Sequence, residues 1–329
     1  MPKGIGKLLQ IGVAKEAARG TAASAATYWL PFSDASLEEK FKNVVDVETY
    51  GVIEDSASQL RVKNWAEGPI KAPIGDIHFA LFLLSLFGTD TPSLHSGETT
   101  VYDHVLTVQQ GSQHQSLTLF IHDPITSADY SYALGVVHKM DIEYALGKFI
   151  SYSAQIKALK GVSQSSFSPS NTIENRFLPQ HVTFKVASNL AGLAAATPIK
   201  LKSFKITIDE SIEDDDVLGN TSPADFLNKE FNIEGELEAI WQNESDFKTA
   251  ALANTAQAMS IDILNGDVTI GTAANPEIKI ELAKAYFTEF SRPIKLKDVM
   301  YQSLKFKAAY SLSDALMAKI TATNTVASY

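Results

Sequence analysis

The sequence predicts a mainly β protein built as two tandem halves, each with one flanking α-helix. Apolar residues mostly alternate with polar ones, helical periodicity is confined to two short segments, and the order of elements recurs after a serine-rich stretch near the midpoint. Alternation puts successive strand side chains on opposite faces, so each strand has one buried and one wet face. Such strands are typical of antiparallel sheets, because parallel strands are normally covered on both faces.

The clearest alternation lies in four segments, residues 150–157, 233–238, 278–282 and 304–308. In each of them Ile, Leu, Phe or Ala is separated from the next apolar residue by Ser, Gln, Lys, Glu or Gly. We expect all four to be half-buried strands.

Two segments are predicted as helices. The first runs to residue 87, with Asp76 as its N-cap and Gly88 as its C-terminal stop. It contains the most apolar stretch of the chain, which is about half the ~20 residues that a membrane-spanning helix needs. We therefore expect a buried helix and no membrane association. The second helix is predicted over residues 243–253.

A change in composition near the midpoint predicts the domain boundary. Residues 161–171 are rich in serine and contain Pro169. Serine side chains compete for local backbone hydrogen bonds and proline has no N–H to donate, so this stretch favours a linker. We predict a first unit over residues 1–161, a linker over 162–171 and a second unit over 172–329.

The order of elements is the same in both units. An opening strand, a helix, a middle strand and a pair of long closing strands recur with similar spacing. Their positions are 8–14, 76–87, 116–123 and 132–159 in the first unit and 181–187, 243–253, 258–265 and 277–310 in the second. Repeated units usually form stacked or ring-like arrangements. The alternative is that two unrelated β-domains share this order by chance.

Composition excludes several kinds of chemistry. The chain of 329 residues has no cysteine, and its 28 Lys and Arg against 38 Asp and Glu give a net charge of −10. Disulfides, thiolate metal sites and cysteine nucleophiles are therefore absent. The acidic excess argues against a protein that grips phosphate backbones, because that requires concentrated Lys and Arg.

Catalytic and metal-binding motifs are not recognisable. The chain contains neither a phosphate-binding glycine loop, a nucleophile elbow nor a paired-histidine zinc motif. Glu234, Glu236 and Glu238 are spaced about 7 Å apart on one strand face, within the range of glycosidase acid/base pairs. Equivalent surroundings cannot separate their pKa values, so a solvated face is the better interpretation. We expect no enzyme activity, no cofactor and no metal.

Several motifs together resemble a known family, the tail tube (major tail) proteins of phages with long, non-contractile tails. They are residues 11–16 with 20–22 and 28–31, residues 67–70 leading into the helix that ends at 86–88, and residues 116–119, 132–142 and 202–209. The resemblance covers nearly the whole chain. Ala17, Ala18 and Arg19 depart from it, because an aromatic residue often precedes the Gly-Thr turn in that family.

The resemblance implies a fold of two tandem β-sandwich or barrel-like tail-tube modules. It implies rings, here pseudo-hexameric and made of three chains, that stack into a hollow virion tail tube for DNA. The sheets of neighbouring modules would join edge to edge, which pairs strand edges that otherwise aggregate. The implied partners are further copies of the chain, a tape measure protein, and tail terminator or tip proteins. DNA would pass through without specific binding.

Two sets of residues follow as hypotheses. A carboxylate-lined channel would repel the DNA backbone. The acids predicted to face it are Glu234, Glu236, Glu238, Asp262, Asp141 and Glu143. The residues predicted to contact the next ring are Lys15, Glu16, Arg19, Asp214, Asp215 and Asp216.

Two other classes of protein are alternatives. A soluble carbohydrate-binding or carbohydrate-cleaving β-sandwich would be monomeric and would carry convergent aromatic residues beside carboxylates on a concave face. A secreted pore-forming ring is disfavoured, because neither an export signal nor a lipid-facing alternating hairpin is recognised.

Overall fold

The computed structural model describes residues 5–56, 58–125, 128–240, 247–292 and 300–329. The chain is mainly β, as its alternating pattern predicts. The strand pairs of the described residues are antiparallel. The expectation of antiparallel sheets is therefore confirmed.

The strands and helices are numbered in chain order. The strands are β1 Gln10–Lys15, β2 Tyr28–Leu30, β3 Asp34–Ala35, β4 Glu38–Val45, β5 Gln59–Pro73, β6 Gly88–Leu94, β7 Tyr102–Val108, β8 Leu117–His122, β9 Asp129–Ala145, β10 Ser151–Ala158, β11 Val162–Gln164, β12 Val182–Ala187, β13 Leu201–Asp215, β14 Asp225–Ile240, β15 Gln257–Leu264, β16 Glu277–Ser291, β17 Tyr301–Ala308 and β18 Ala318–Asn324. The helices are α1 His78–Phe87 and α2 Lys248–Leu252.

Two long strands, β9 and β16, each take part in two sheets. The first part of β9 pairs with β8 and β11, and its second part pairs with β10 and β13. The first part of β16 pairs with β15 and β18, and its second part pairs with β17. The central sheet therefore has the order β4–β5–β10–β9–β13–β14–β17–β16.

The first part of each shared strand belongs to a flanking sheet. The first flanking sheet has the order β2–β1–β8–β9–β11. The second has the order β12–β15–β16–β18–β7–β6. The β6–β7 hairpin comes from the first half of the chain but extends a sheet of the second half. Strand pairing therefore joins the two halves at two places, between β9 and β13 and between β7 and β18.

The core forms where one face of the central sheet meets helix α1. All ten residues of α1 are buried. Alternate residues of the strands, such as Ile142, Ile206 and Leu237, lie in the same apolar cluster. Burial of apolar surface from both halves in one cluster stabilises them jointly. The intervening residues form the opposite, wet face of the sheet.

The start of α1 differs from the prediction. Asp76 does not cap the helix; its carboxylate accepts hydrogen bonds from Asn175 instead. The carboxylate of Glu174 accepts from the backbone N–H groups of Ile77 at 3.1 Å and His78 at 2.6 Å. These donors have no partner inside the helix, and a negative group is favourable at that end. A residue 97 positions away in the chain therefore performs the capping.

The end of α1 is as predicted. Gly88 has a left-handed backbone with φ of 85°, and its N–H donates to the carbonyl of Leu84. Helix α2 is shorter than predicted over its described part, and residues 243–246 lie outside the described residues. The stretch predicted as a linker begins with a strand, β11, in which Ser163 lies opposite Tyr130 of β9.

The two halves share irregularities as well as element order. The β9–β10 and β16–β17 pairs each contain a bulge, which leaves out His138 in one and Thr288 in the other. A Glu-Gly step lies opposite a lysine in both halves. Glu67 and Gly68 lie opposite Lys157 and Ile156, and Glu234 and Gly235 lie opposite Lys307 and Phe306.

We predict that Gly235→Ala destabilises the fold. An added methyl group would overlap the Phe306 ring and lie 2.6 Å from the carbonyl oxygen of Lys205. Overpacking of this kind lowers the free energy of unfolding by about 1–3 kcal/mol. Urea denaturation measures the change. Gly111→Ala is the matched control, because an added methyl group there has no neighbour within 4 Å. Equal stability of the two variants would contradict the prediction.

Candidate assembly surfaces

Five of the six acids predicted to line a channel lie together on the wet face of the central sheet. Strand β13 runs between β9 and β14 and sets their positions. Lys205 of β13 lies opposite Glu143 on one side and Glu236 on the other. Thr207 lies opposite Asp141 and Glu234, and Ser203 lies opposite Glu238. The two-residue period brings residues from distant parts of the chain onto one face.

Lysines alternate with these acids. Lys205 Nζ lies 2.8 Å from Glu143 Oε1, and its pKa is raised, first by that hydrogen bond. Lys307 Nζ lies 3.4 Å from Glu234 Oε1, and the pKa of Glu234 is lowered by hydrogen bonds from Asn232 and then Lys307. The wet face therefore carries paired positive and negative side chains and is not lined by carboxylates alone.

Asp262 does not belong to this group. It lies on β15 in the second flanking sheet, opposite Lys279. Burial raises its pKa. Glu277, two residues before Lys279 on β16, is its diagonal neighbour, and burial followed by the charge of Asp262 raises the pKa of Glu277 to about 7. These two half-buried carboxylates form a pair away from the wet face.

The β13–β14 hairpin extends beyond the second half of the chain and packs against the first half. The Arg19 guanidinium pairs with Asp225 at 2.8 Å and donates to the carbonyl of Phe226 at 2.6 Å and to that of His114. The Phe226 ring is fully buried against Leu134 and Val136 of β9. We call this contact, together with the β9–β13 pairing, the hairpin junction.

Acidic residues at the hairpin tip complete the junction. Asp214 accepts from Lys63 at 2.8 Å and from Lys157 at 2.6 Å, and Asp216 accepts from Lys63 at 2.5 Å. Burial acts to raise the pKa of Asp214, but the two lysines outweigh it and the pKa is lowered. The side chain of Asp215 is half-buried, and its carbonyl accepts from Ala224 N.

Most residues predicted to contact another ring are engaged inside the chain. Glu16 is buried, and its carboxylate accepts hydrogen bonds from Gly20 N, Ser116 Oγ, Thr118 Oγ1 and Leu134 N, so none of its oxygens is free for a contact with another ring. Arg19, Asp214 and Asp216 belong to the hairpin junction. Lys15 has an exposed side chain that donates to the carbonyl of Tyr329. No local pattern signals these contacts, since Arg19 and Asp225 are 206 positions apart.

Other kinds of site are not found in the part of the chain that the structure describes. Its His, Asp and Glu residues form no group of three or more suited to hold a metal ion. None of its helices has the length and apolar character needed to cross a membrane.

A comparison with protein families decides the identity. The family model of phage tail tube proteins matches residues 6–308, nearly the whole chain. The chain belongs to the phage tail tube protein family. A search of curated proteins finds no match. The resemblance seen in the sequence is confirmed, and the chain is a structural component of a phage tail.

We predict that Glu277→Gln makes stability less dependent on pH. A carboxyl group whose pKa is raised on folding favours the folded state fully below its ordinary pKa, and the effect is lost as pH rises through the folded value of about 7. The wild-type protein should therefore lose stability between pH 5 and pH 8 that the variant retains. Chemical denaturation at a series of pH values measures this.

Asp262→Asn tests the same pair from the other side and should also flatten the profile. Glu48→Gln, on an exposed loop, is the matched control and should follow the wild-type profile. Parallel profiles for wild type and Glu277→Gln would show that the pair does not titrate as described.

Proposed function

We propose that this tail tube protein assembles with copies of itself into closed rings, and that the rings stack into a hollow conduit for DNA. One observation carries the proposal: the central sheet ends in two open edges. Among the described residues no strand pairs with β4 on the side away from β5, and none pairs with β16 beyond Ala285 on the side away from β17. Open edges promote aggregation unless a closed arrangement pairs them.

We propose further that the chain contains two tail-tube modules, residues 1–161 and 172–329, joined by residues 162–171. The shared bulges and the shared Glu-Gly steps support a duplication. In this duplication β3 and β4 together correspond to β13. Strand β5 corresponds to β14, β10 to β17 and β9 to β16. Three chains would then supply six equivalent modules to one ring, and head-to-tail stacking of rings would extend the tube.

The wet face of the central sheet is the proposed channel lining. Glu234, Glu236, Glu238, Asp141 and Glu143 keep this role, whereas Asp262 lies on another sheet and is left out. Each lysine near these acids already faces a carboxylate, so few cations are free to hold phosphates. DNA would slide along such a surface without specific binding. A structural subunit of this kind has no catalytic role.

The proposal extends to contacts along the tail. Lys15, on the first flanking sheet, keeps an exposed side chain and is the predicted stacking residue that we retain for contact between rings. The tape measure protein inside the tube and the terminator or tip proteins at its ends are the proposed partners. Electrostatic contacts between rings should weaken with salt.

Electron microscopy of the purified protein at high concentration tests the assembly. We expect stacked rings with a hollow axis, because closure satisfies the open edges of β4 and β16. Size-exclusion chromatography at low concentration gives the state before assembly. A protein that stays monomeric at high concentration would contradict the proposed function.

We predict that changing Glu234, Glu236 and Glu238 together to lysine makes tubes retain DNA. The change turns a mixed lining into a basic one, and binding should fall as salt rises because counterions are released. Retention of labelled DNA by sedimented tubes measures the effect. Changing the same three residues to glutamine is the matched control, since it removes charge without adding cations. Intact lysine-variant tubes that retain no DNA would show that these residues do not line the channel.

A further inference from the structure

The hairpin junction shows how a strand of one module pairs with the long strand of the module before it. In the first half, the second part of β9 has β10 on one side and β13 on the other. In the second half, the corresponding part of β16 has β17 on one side, and among the described residues no strand lies on the other side. The partner of β9 is a strand of the next module along the chain. By the same order of modules, we expect the strand on the open side of β16 to belong to a module of another chain.

The bulges give the correspondence between the two long strands. His138 is the unpaired residue of the β9 bulge, and Thr288 is that of the β16 bulge. Counting one residue on from each bulge matches Lys139 with Glu289. Lys139 lies opposite Gln155 of β10, and Glu289 lies opposite Lys305 of β17.

The Glu-Gly steps give the correspondence between β4 and β13. Glu38 of β4 lies opposite Glu67, and Thr207 of β13 lies opposite Glu234. Counting two residues on from each matches Lys40 with Asp209. Both hairpins contain a register shift at the matching place further along, after Lys42 in β4 and after Ser211 in β13.

The two correspondences together predict the register between β4 of one chain and β16 of another. Lys139 lies directly opposite Asp209 in the hairpin junction, with 3.7 Å between Nζ and Oδ2. The matching pair between chains is Glu289 opposite Lys40. Both pairs combine a lysine with an acidic residue. The lysine is on the long strand β9 in the first pair, whereas in the second pair the acid is on the long strand β16 and the lysine is on β4. The side chains of Glu289 and Lys40 are 64% and 45% exposed, so both are accessible to a second copy.

The β4–β5 hairpin carries an independent sign of a missing partner. Phe41 and Val45 lie on the same face of this hairpin and are 55% and 41% exposed. Exposed apolar side chains that share one face mark an interaction surface. The corresponding β13–β14 hairpin buries Phe226 against β9 of the neighbouring module.

The surface that would receive the β4–β5 hairpin is an open groove on the second half. Asn189, Gln257 and Lys284 line it. The strand registers match these residues with Glu16, Leu117 and Leu134 of the first half. Leu134 packs there against Phe226 of the β13–β14 hairpin, so the groove corresponds in part to a surface that the hairpin covers within the chain.

We infer that copies of this chain join by antiparallel pairing of β4 with β16, with Lys40 of one copy directly opposite Glu289 of the next. The β4–β5 hairpin lies in the groove around Lys284 of that neighbour. The inference rests on the proposed ring assembly and specifies its contact and register. Every junction around the ring would then have the same geometry, whether it lies within a chain or between chains.

The absence of cysteine from the chain allows a direct cross-linking test. The double variant Lys40→Cys, Glu289→Cys is assembled, oxidised and examined on non-reducing gels. Residues directly opposite in an antiparallel pair have Cα atoms about 4.5–5.5 Å apart, within the range of disulfides. We expect a ladder of covalent oligomers that disappears on reduction.

Two further variants control the register and the chemistry. Lys42→Cys with Glu289→Cys displaces one position by two residues, and it should cross-link roughly tenfold more slowly because the Cα separation exceeds disulfide range. Lys139→Cys with Asp209→Cys lies opposite within one chain. That pair should close a disulfide without forming a ladder.

The outcomes separate the register from the assembly. Tubes that form without a cross-link between positions 40 and 289, or that cross-link faster between positions 42 and 289, overturn the inferred pairing and leave the proposed function intact. A wild-type chain that forms no ring contradicts the proposed function and the pairing together.

Discussion

The need of every sheet edge for a partner is the constraint on which this structure depends. β9 meets it by passing from a flanking sheet into the central sheet, where β13 covers its second edge. The β6–β7 hairpin meets it for β18 of the other half. Unpaired backbone groups at an edge invite association, so the open edges at β4 and β16 support the proposed assembly of the chain with its own copies.

Buried carboxylates fix local geometry, whereas exposed ones shape a surface. Glu16 and Glu174 accept hydrogen bonds from backbone N–H groups that would otherwise lack partners, and removing either would leave buried donors unsatisfied. The charge pairs of the wet face are exposed, and each contributes about 0.2–1 kcal/mol at most. In the proposed channel these pairs would leave few cations free to hold a polyanion.

Much of the fold could be predicted from local pattern. Alternation identified the strands around residues 150–157 and 304–308, and Gly88 marked the end of α1 because only a residue without a side chain adopts that backbone easily. The β6–β7 hairpin was missed. Its first strand reads Gly-Thr-Asp-Thr-Pro-Ser-Leu and has neither strong alternation nor apolar character, so its pairing depends on β7 and the distant strand β18.

The sequence by itself determined which strands have two unlike faces and that Glu234, Glu236 and Glu238 share one of them, because a period of two is a local property of extended backbone. Only the tertiary structure decided that Asp141 and Glu143 join that face while Asp262 does not, that Glu16 is buried, and that Arg19 holds a hairpin from the other half. Those outcomes depend on which strands become neighbours. Long-range pairing sets that choice, and a two-residue period carries no information about it.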